Sequence, residues 1–198
     1  SEYRCVETKS MWALRLYIFT HEEVAPHVEI LDSGAEACGI GGVGGNKGGV
    51  AGALSIHRTT MCFINAHLAA HQAMVRRRNR DATDVLRGLR SLASSKQPGT
   101  KHLDPSSCFH HTFFFGDLNY RIEAPVSTVL RCIEEQKGGW ERLHALDQLR
   151  FERESGRVLT GFQETMPQFA PTFKRLRGGG DADDGGGGGG IGEFGGDQ

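Results

Sequence analysis

The run His111-Thr-Phe-Phe-Phe-Gly-Asp-Leu-Asn-Tyr-Arg-Ile-Glu123 sets the tightest limit on how this chain folds. Its centre, Phe113-Phe-Phe115, is short, continuous and apolar, the pattern of a strand buried on both faces. Gly116 lets the backbone turn where the apolar run stops, and an acid and an amide follow two positions apart. Side chains along a strand alternate faces, so Asp117 and Asn119 are expected to point the same way. A carboxylate beside a neutral donor suits hydrolysis at phosphorus. One orients and deprotonates water, and the other holds developing negative charge. The alternative is an Asx turn that ends a buried strand.

Around this run the chain reads as strands joined by brief turns. Met11–Thr20 is rich in aromatic and branched residues and is expected as a strand; residues 24–38 hold another, or a strand plus a connection. Strands follow at Gly49–His57 and Met61–Asn65, with Arg58-Thr-Thr60 as the hairpin turn between them. From about Gln72 to Leu92 the pattern turns helical, with Ala82, Val85, Leu86, Leu89 and Leu92 recurring on one face. Lys96–Pro105 is a loop. Pro125 opens a helix to about Gln136, proline being tolerated in a first turn. A second short helix is expected over Trp140–Arg150, then strand and loop through Thr160–Lys174. Strands outnumber helices, which predicts an α/β chain with antiparallel or mixed sheets packed face to face and flanking helices.

At 198 residues the chain has the length for one domain with a substantial core. Residues 178–198 take no part in that core. They are glycine with Asp181, Asp183, Asp184, Glu193 and Asp197 and no basic residue, too little to offset the entropy of ordering. A disordered acidic tail or insertion is expected there, with structure ending near Arg177. The net charge of -1 argues against a general nucleic-acid binder. Basic residues still cluster at Arg76-Arg77-Arg78 with Arg80, and at Lys174-Arg175 with Arg177. That arrangement fits a compact anionic ligand better than a long polyanion, although each cluster alone also reads as a solvated helix face. The five cysteines (Cys5, Cys38, Cys62, Cys108, Cys132) are odd in number and widely spaced, as reduced thiols in a cytosolic protein would be. The sequence shows no N-terminal signal pattern and no apolar run of membrane-spanning length. Ser1 opens abruptly inside what reads as a structured segment, as it would if an upstream portion were missing.

Gly39-Ile-Gly-Gly-Val-Gly44 matches G-x-G-x-x-G, but a strand pattern follows it where a dinucleotide fingerprint needs a helix. A P-loop is excluded because Lys47 is followed by glycine. What remains is a flexible loop ending in Asn46-Lys47 at the mouth of a strand. Its backbone can approach a ligand closely, with Lys47 as a point charge for phosphate; the alternative is a mobile hairpin tip whose lysine aids solubility. Cys62-Phe-Ile-Asn-Ala-His67 places Asn65 and His67 two apart at another strand end, repeating the geometry of Asp117 and Asn119. Two strand ends that each present a polar pair point to a shared site. Zinc-type spacings are absent, so a hard cation held by oxygen ligands, Mg2+, is the expected metal. His71 reads as a cap or packing residue at a helix start.

With these segments in hand, the chain resembles the inositol polyphosphate 5-phosphatases. The matching stretches stand in the family's order: Gly45-Asn-Lys-Gly-Gly-Val50, Asn65-Ala-His-Leu-Ala-Ala-His71, Arg77-Arg-Asn79 with Asp81, Phe115-Gly-Asp-Leu-Asn-Tyr-Arg-Ile122, Asp147-Gln-Leu149 and Phe169-Ala-Pro-Thr-Phe-Lys174. The family belongs to the endonuclease/exonuclease/phosphatase superfamily, whose DNase I-like fold is a two-sheet α/β sandwich. The resemblance implies a partial catalytic domain over 1–177, truncated at both ends, and Mg2+-dependent hydrolysis of the 5-phosphate from phosphoinositides or soluble inositol phosphates. By analogy Asp117 activates water, Asn119 stabilises the phosphoryl oxygens and His67 hydrogen-bonds the scissile phosphate. Lys174 and Lys47 face ring phosphates or the lipid surface, and Asn46, Asn65, Arg78 and Asn79 complete the substrate-binding candidates. The implied setting is the cytoplasm, peripheral at membranes, with no nucleic-acid partner.

This sequence also departs from the family pattern. The family's metal-binding glutamate lies upstream of residue 1, so the metal ligands of this chain stay unassigned. The downstream Pro-Ala-Trp-Cys-Asp-Arg and Ser-Asp-His motifs do not occur, and Phe173 stands where the family has tyrosine. Losing a positioned acid/base costs about 10²–10⁴-fold in rate, so the chain as written is expected to be nearly inactive. Two other readings compete: a non-catalytic phosphoinositide-binding module, and a nuclease of the same superfamily. The Lys47 and Lys174 motifs and the near-neutral charge speak against the nuclease.

Overall fold

The computed structural model describes residues 2–39, 47–94, 103–169 and Thr172. The acidic glycine-rich segment at 178–198 and the site candidates Asn46 and Lys174 lie outside the described residues. The chain divides into two compact units, one built from residues 1–121 and 148–163, the other from 122–147 and 164 onward.

The first unit opens with a hairpin. β1 (Tyr3–Met11) pairs antiparallel with β2 (Leu14–His21), and Trp12, at φ 52°, carries the turn. The strand expected over Met11–Thr20 is β2, and the expectation did not include β1 ahead of it. β1 escapes a pattern search because Tyr-Arg-Cys-Val-Glu-Thr-Lys-Ser-Met buries little and hardly alternates, whereas β2 buries Leu14 and Leu16 on one face.

A second sheet runs in the order β3 (Val28–Ala37), β4 (Gly48–Ile56), β5 (Thr59–His67) and β6 (His111–Asp117). The first three strands are antiparallel and β6 lies parallel to β5, giving the mixed sheet that the pattern predicted. The β4–β5 turn is tighter than expected: Ile56 already pairs with Thr59, which leaves His57 (φ 53°) and Arg58 to reverse the chain. Small residues in Gly48-Gly-Val-Ala-Gly-Ala53 explain how β4 is covered on both faces. A Cβ on Gly52 would stand 3.0 Å from Ile18 Cδ1 of the hairpin, and one on Gly49 would stand 2.6 Å from Val85 Cγ1 of the helix opposite. The hairpin covers one face and the helix the other.

That helix, α1 (Val75–Gly88), follows a 3-10 turn at Gln72–Met74, and a short α2 (Ser91–Ser94) comes after it. The helix expected to reach Leu92 is broken near Gly88, yet Val85, Leu89 and Leu92 still pack with Cys38, Ala51, Cys62 and Ile64. Each such side chain taken out of water contributes roughly 1.5–3 kcal/mol. Burial also pushes the thiols of Cys38 and Cys62 up to about 12, so neither is a ready nucleophile.

The strand at Phe113-Phe-Phe115 is where expectation and structure part. Phe114 packs against the core, but Phe113 and Phe115 are 47% and 41% exposed. β6 is the outermost strand of its sheet, and on its second face Phe113 stacks beside Phe63 of β5, with ring centroids 5.0 Å apart. A continuous apolar run reports the capacity to be buried on two sides. The neighbours needed to do so must come from elsewhere.

In the second unit α3 (Val126–Glu134) packs on α4 (Lys137–Ala145), and an antiparallel bridge between Ile122 and Asp147 closes the segment. The helix expected over Trp140–Arg150 is two, since α4 ends before Leu146 and α5 (Gln148–Glu154) belongs to the first unit. Residues 160–169 form no strand, against expectation. Among the described residues no helix is long and apolar enough to cross a membrane.

Candidate active site

Parallel pairing brings the C-terminal ends of β5 and β6 out at one edge of the sheet. The register matches Ala66 with Gly116 and His67 with Asp117. His67 Nε2 lies 3.5 Å from Asp117 Oδ2, with the Asp117 side chain 66% exposed. β4 runs antiparallel to β5 and pairs Gly48 with His67, so the residue before Gly48 arrives at the same edge. Lys47 Nζ accordingly donates to His67 Nε2 at 2.5 Å. Burial holds the pKa of Lys47 below its ordinary value; Asp117 and Asp81 pull it back up, and Arg121 adds to the lowering. A partly desolvated ammonium of this kind gains from an anionic ligand.

Gly116 makes the junction possible. At φ 126° it adopts a backbone that other residues avoid, and a Cβ there would stand 2.2 Å from Ala66 O and 2.4 Å from Asn65 Oδ1. β6 ends at Asp117, so strand alternation is not what brings Asn119 to the site. Asn119 takes a left-handed conformation, φ 58°, which asparagine tolerates better than most residues. Its side chain is then fixed locally: Nδ2 donates to Leu68 O at 2.9 Å, and Arg121 Nη2 donates to Oδ1 at 3.0 Å. Leu68 N in turn donates to Asp117 O at 3.1 Å. His67, Asp117, Asn119 and Lys47 thus form one connected cluster.

Three of the substrate-binding candidates make bonds within the protein. Asn65 Nδ2 donates to Arg15 O at 2.8 Å, which pins β5 to the hairpin. Arg78 is fully buried. Its Nη1 donates to Ala69 O (3.1 Å) and His71 O (2.6 Å), its Nη2 to Gln72 O (3.2 Å) and Gln148 Oε1 (2.6 Å), and the guanidinium lies 5.2 Å from the Tyr120 ring centroid. Asn79 joins Glu152, to whose Oε2 it donates at 2.6 Å, with Tyr120, whose hydroxyl donates to Asn79 Oδ1 at 2.7 Å. The bonds of Arg78 and Asn79 hold the segments that follow His67 and Asn119. The expected motif Arg77-Arg-Asn79 with Asp81 is therefore a clamp. Asp81, also buried, accepts from Arg77 Nε at 2.7 Å and from Ala69 N at 3.1 Å.

Sequence reasoning missed Gln148, Arg121 and Glu152. The Glu152 carboxyl is held below the usual carboxylate range, first by hydrogen bonds from Arg157 and then by Asn79, against the opposing effect of burial. Gln148 lies in the stretch Asp147-Gln-Leu149 quoted above and Arg121 in Phe115–Ile122, but neither was given a role, and the bonds from Arg78 to Gln148 and from Asn79 to Glu152 span some 70 positions. Among the described residues no three His, Cys, Asp or Glu side chains are grouped to hold a metal ion. Asp117 offers a single exposed carboxylate at the cluster, so these residues alone do not make the oxygen-rich cage a hard cation needs.

Comparison with known proteins shows what this chain is similar to. The family model of endonuclease/exonuclease/phosphatase family 2 matches residues 1–184. The chain is 34% identical over 178 residues to type IV inositol polyphosphate 5-phosphatase 9 of Arabidopsis thaliana, covering 87% of this chain and 41% of that protein. It is 34% identical over 176 residues to synaptojanin-1 of Homo sapiens, covering 88% of this chain and 10% of that protein. Among solved structures, the inositol polyphosphate 5-phosphatase domain of SPsynaptojanin, in complex with inositol (1,4)-bisphosphate and calcium ion, superposes with a TM-score of 0.72 at 28% identity. That match covers 92% of this chain and 49% of the other. The chain belongs to the endonuclease/exonuclease/phosphatase family, within its inositol polyphosphate 5-phosphatases. Its α/β architecture of two sheets with flanking helices is the fold of that domain. The chain spans less than half the length of each of these three proteins.

Proposed function

We propose that the protein is a phosphomonoesterase that removes the 5-phosphate from phosphoinositides, soluble inositol polyphosphates, or both. The observation that carries this reading is the in-register meeting of His67 and Asp117, 3.5 Å apart, with Lys47 and Asn119 joined to them. Asp117, exposed and anionic, orients and deprotonates the attacking water. Asn119 donates to the phosphoryl oxygens as charge builds on them, and His67 hydrogen-bonds the phosphate under attack. Such chemistry is mostly positioning and charge stabilisation, which suits a carboxylate, an amide and cations with no thiol nucleophile. Lys47, and Lys174 beyond the described residues, bind the ring phosphates. The cofactor we propose is a divalent cation, Mg2+, supported by the calcium ion of the SPsynaptojanin domain; when bound it supplies charge neutralisation at phosphorus. The proposed setting is the cytoplasmic face of membranes, with the lipid headgroup as partner.

The test is phosphate release by the full-length protein from a panel of phosphoinositides and inositol phosphates, with Asp117→Ala alongside. Wild type should release phosphate, and the variant about 10²–10⁴-fold more slowly. Equal release by the two would remove Asp117 from the mechanism. A second reading, binding of the same headgroups without turnover, rests on the partly desolvated ammonium of Lys47 at the cluster. It predicts salt-sensitive binding to phosphoinositide vesicles with no phosphate released.

A further inference from the structure

Asn119 is gripped from two sides, and each partner has a single polarity. Leu68 O accepts from Nδ2 at 2.9 Å, while the guanidinium of Arg121 donates to Oδ1 at 3.0 Å. A carbonyl only accepts and a guanidinium only donates. The carboxamide therefore has one orientation, since a flip would set donor against donor and acceptor against acceptor. Arg121 is itself anchored at its backbone. Its N–H donates to Gln148 Oε1 at 3.0 Å, and its carbonyl accepts from Gln148 N at 3.0 Å. Gln148 is buried and ties this corner to Gln72 O through Nε2 at 3.2 Å. The Nε–H of Arg121 is buried and meets no acceptor among the described residues, so internal pairing does not account for the whole guanidinium.

We propose that Arg121 is a positioning residue that locks the Asn119 carboxamide with its free N–H toward the anionic oxygens of the substrate. The proposal rests on the phosphatase reading above. Of the two hydrogens on Nδ2, Leu68 O engages one, which leaves the other for a phosphoryl oxygen. A cation on Oδ1 draws electron density toward that oxygen, and the remaining N–H becomes a stronger donor. Without the cation only the bond to Leu68 O opposes a flip that would turn the oxygen toward the phosphate, where it repels the charge it should stabilise. No proton or covalent bond changes hands at Arg121.

Two readouts on the full-length protein test this. The first is the side-chain amide pair of Asn119 in a 1H–15N spectrum, assigned by its disappearance in Asn119→Ala. In wild type the pair should be dispersed and protected from solvent exchange. Arg121→Met should move it to the shifts and exchange rates of an exposed amide, and Arg121→Lys should restore it in part. Signals unchanged in Arg121→Met would overturn the proposal. The second is phosphate release. Arg121→Met should lower kcat about 10–100-fold and change KM far less, and combined with Asn119→Ala it should be no slower than Asn119→Ala alone. Effects that multiply would mean Arg121 acts independently of Asn119, against the proposal. Wild-type protein releasing phosphate from no member of the panel would overturn the reading of function and the catalytic half of this proposal with it. The amide signals would still decide whether Arg121 fixes Asn119.

Discussion

Replacing Gly116 with alanine tests the junction on which the site is built. A Cβ at this position would stand 2.2 Å from Ala66 O and 2.9 Å from Ala66 N, both backbone atoms of the paired strand, and 2.4 Å from Asn65 Oδ1. An ordinary contact needs about 3.4 Å or more, so Ala66 must retreat by roughly 1 Å and the rung between β5 and β6 opens. The Asn65 amide would have to turn, giving up its 2.8 Å bond to Arg15 O. The φ of 126° adds strain of about 1–3 kcal/mol for any residue with a Cβ. One or two lost hydrogen bonds add about 0.5–1.5 kcal/mol each. The expected destabilisation is therefore about 1.5–6 kcal/mol, a large share of a stability of roughly 5–15 kcal/mol. Gly156→Ala is the matched control. Gly156 also has positive φ, 68°, in the milder left-handed region, and no atom lies within 4 Å of the Cβ site, so its variant carries neither the crowding nor the full backbone strain of Gly116. Urea unfolding followed by circular dichroism should give Gly116→Ala a midpoint well below that of Gly156→Ala at the same m-value. Equal midpoints would refute the close approach of β6 to β5.

Adjacent glycines in α4 should behave oppositely. A Cβ on Gly139 would stand 1.6 Å from Cys132 O on α3, so Gly139→Ala should separate the two helices and cost about 1–3 kcal/mol; Gly138 faces open space, and Gly138→Ala should be neutral or stabilise by up to about 1 kcal/mol through helix propensity. Thermal unfolding of both variants checks this. Lys47 should show opposite effects on stability and binding. Because burial depresses its pKa, the charged form costs stability in the folded state below that pKa, and the cost fades as pH rises toward the unfolded lysine value of about 10.4. Lys47→Met should thus unfold at higher urea near neutral pH, yet bind inositol phosphates more weakly. In wild type that affinity should decline at alkaline pH, beginning below about 10.4, as isothermal titration across pH would record.

Much of the sheet was legible because β3–β5 carry apolar residues at strand spacing and turns at both ends. The site pair His67 and Asp117 was legible too, since each ends an apolar run, and only their pairing needed the structure. Three features were hidden for physical reasons. β1 is too exposed to show a period, so only the second strand of the hairpin that roofs β4 was read. Asn119 reaches the cluster through a left-handed turn and two side-chain bonds, where sequence spacing alone implied a continued strand. Arg78 and Asn79 stand in a stretch shared with the family, and the bonds they make inside the protein cannot be read there, because a basic, polar helix face looks alike whether it meets solvent, ligand or the protein's own carbonyls. Only the partners 70 and 73 positions away, Gln148 and Glu152, separate these cases.

The central claim is that His67 and Asp117 occupy facing positions at the shared end of two parallel strands. The most direct measurement is oxidation of the full-length protein carrying His67→Cys and Asp117→Cys, followed by peptide mapping. Facing strand positions fall within disulfide reach, so the two introduced thiols should join in high yield. The account is contradicted if both introduced thiols stay free, or join only native cysteines, under conditions that oxidise exposed Cys5.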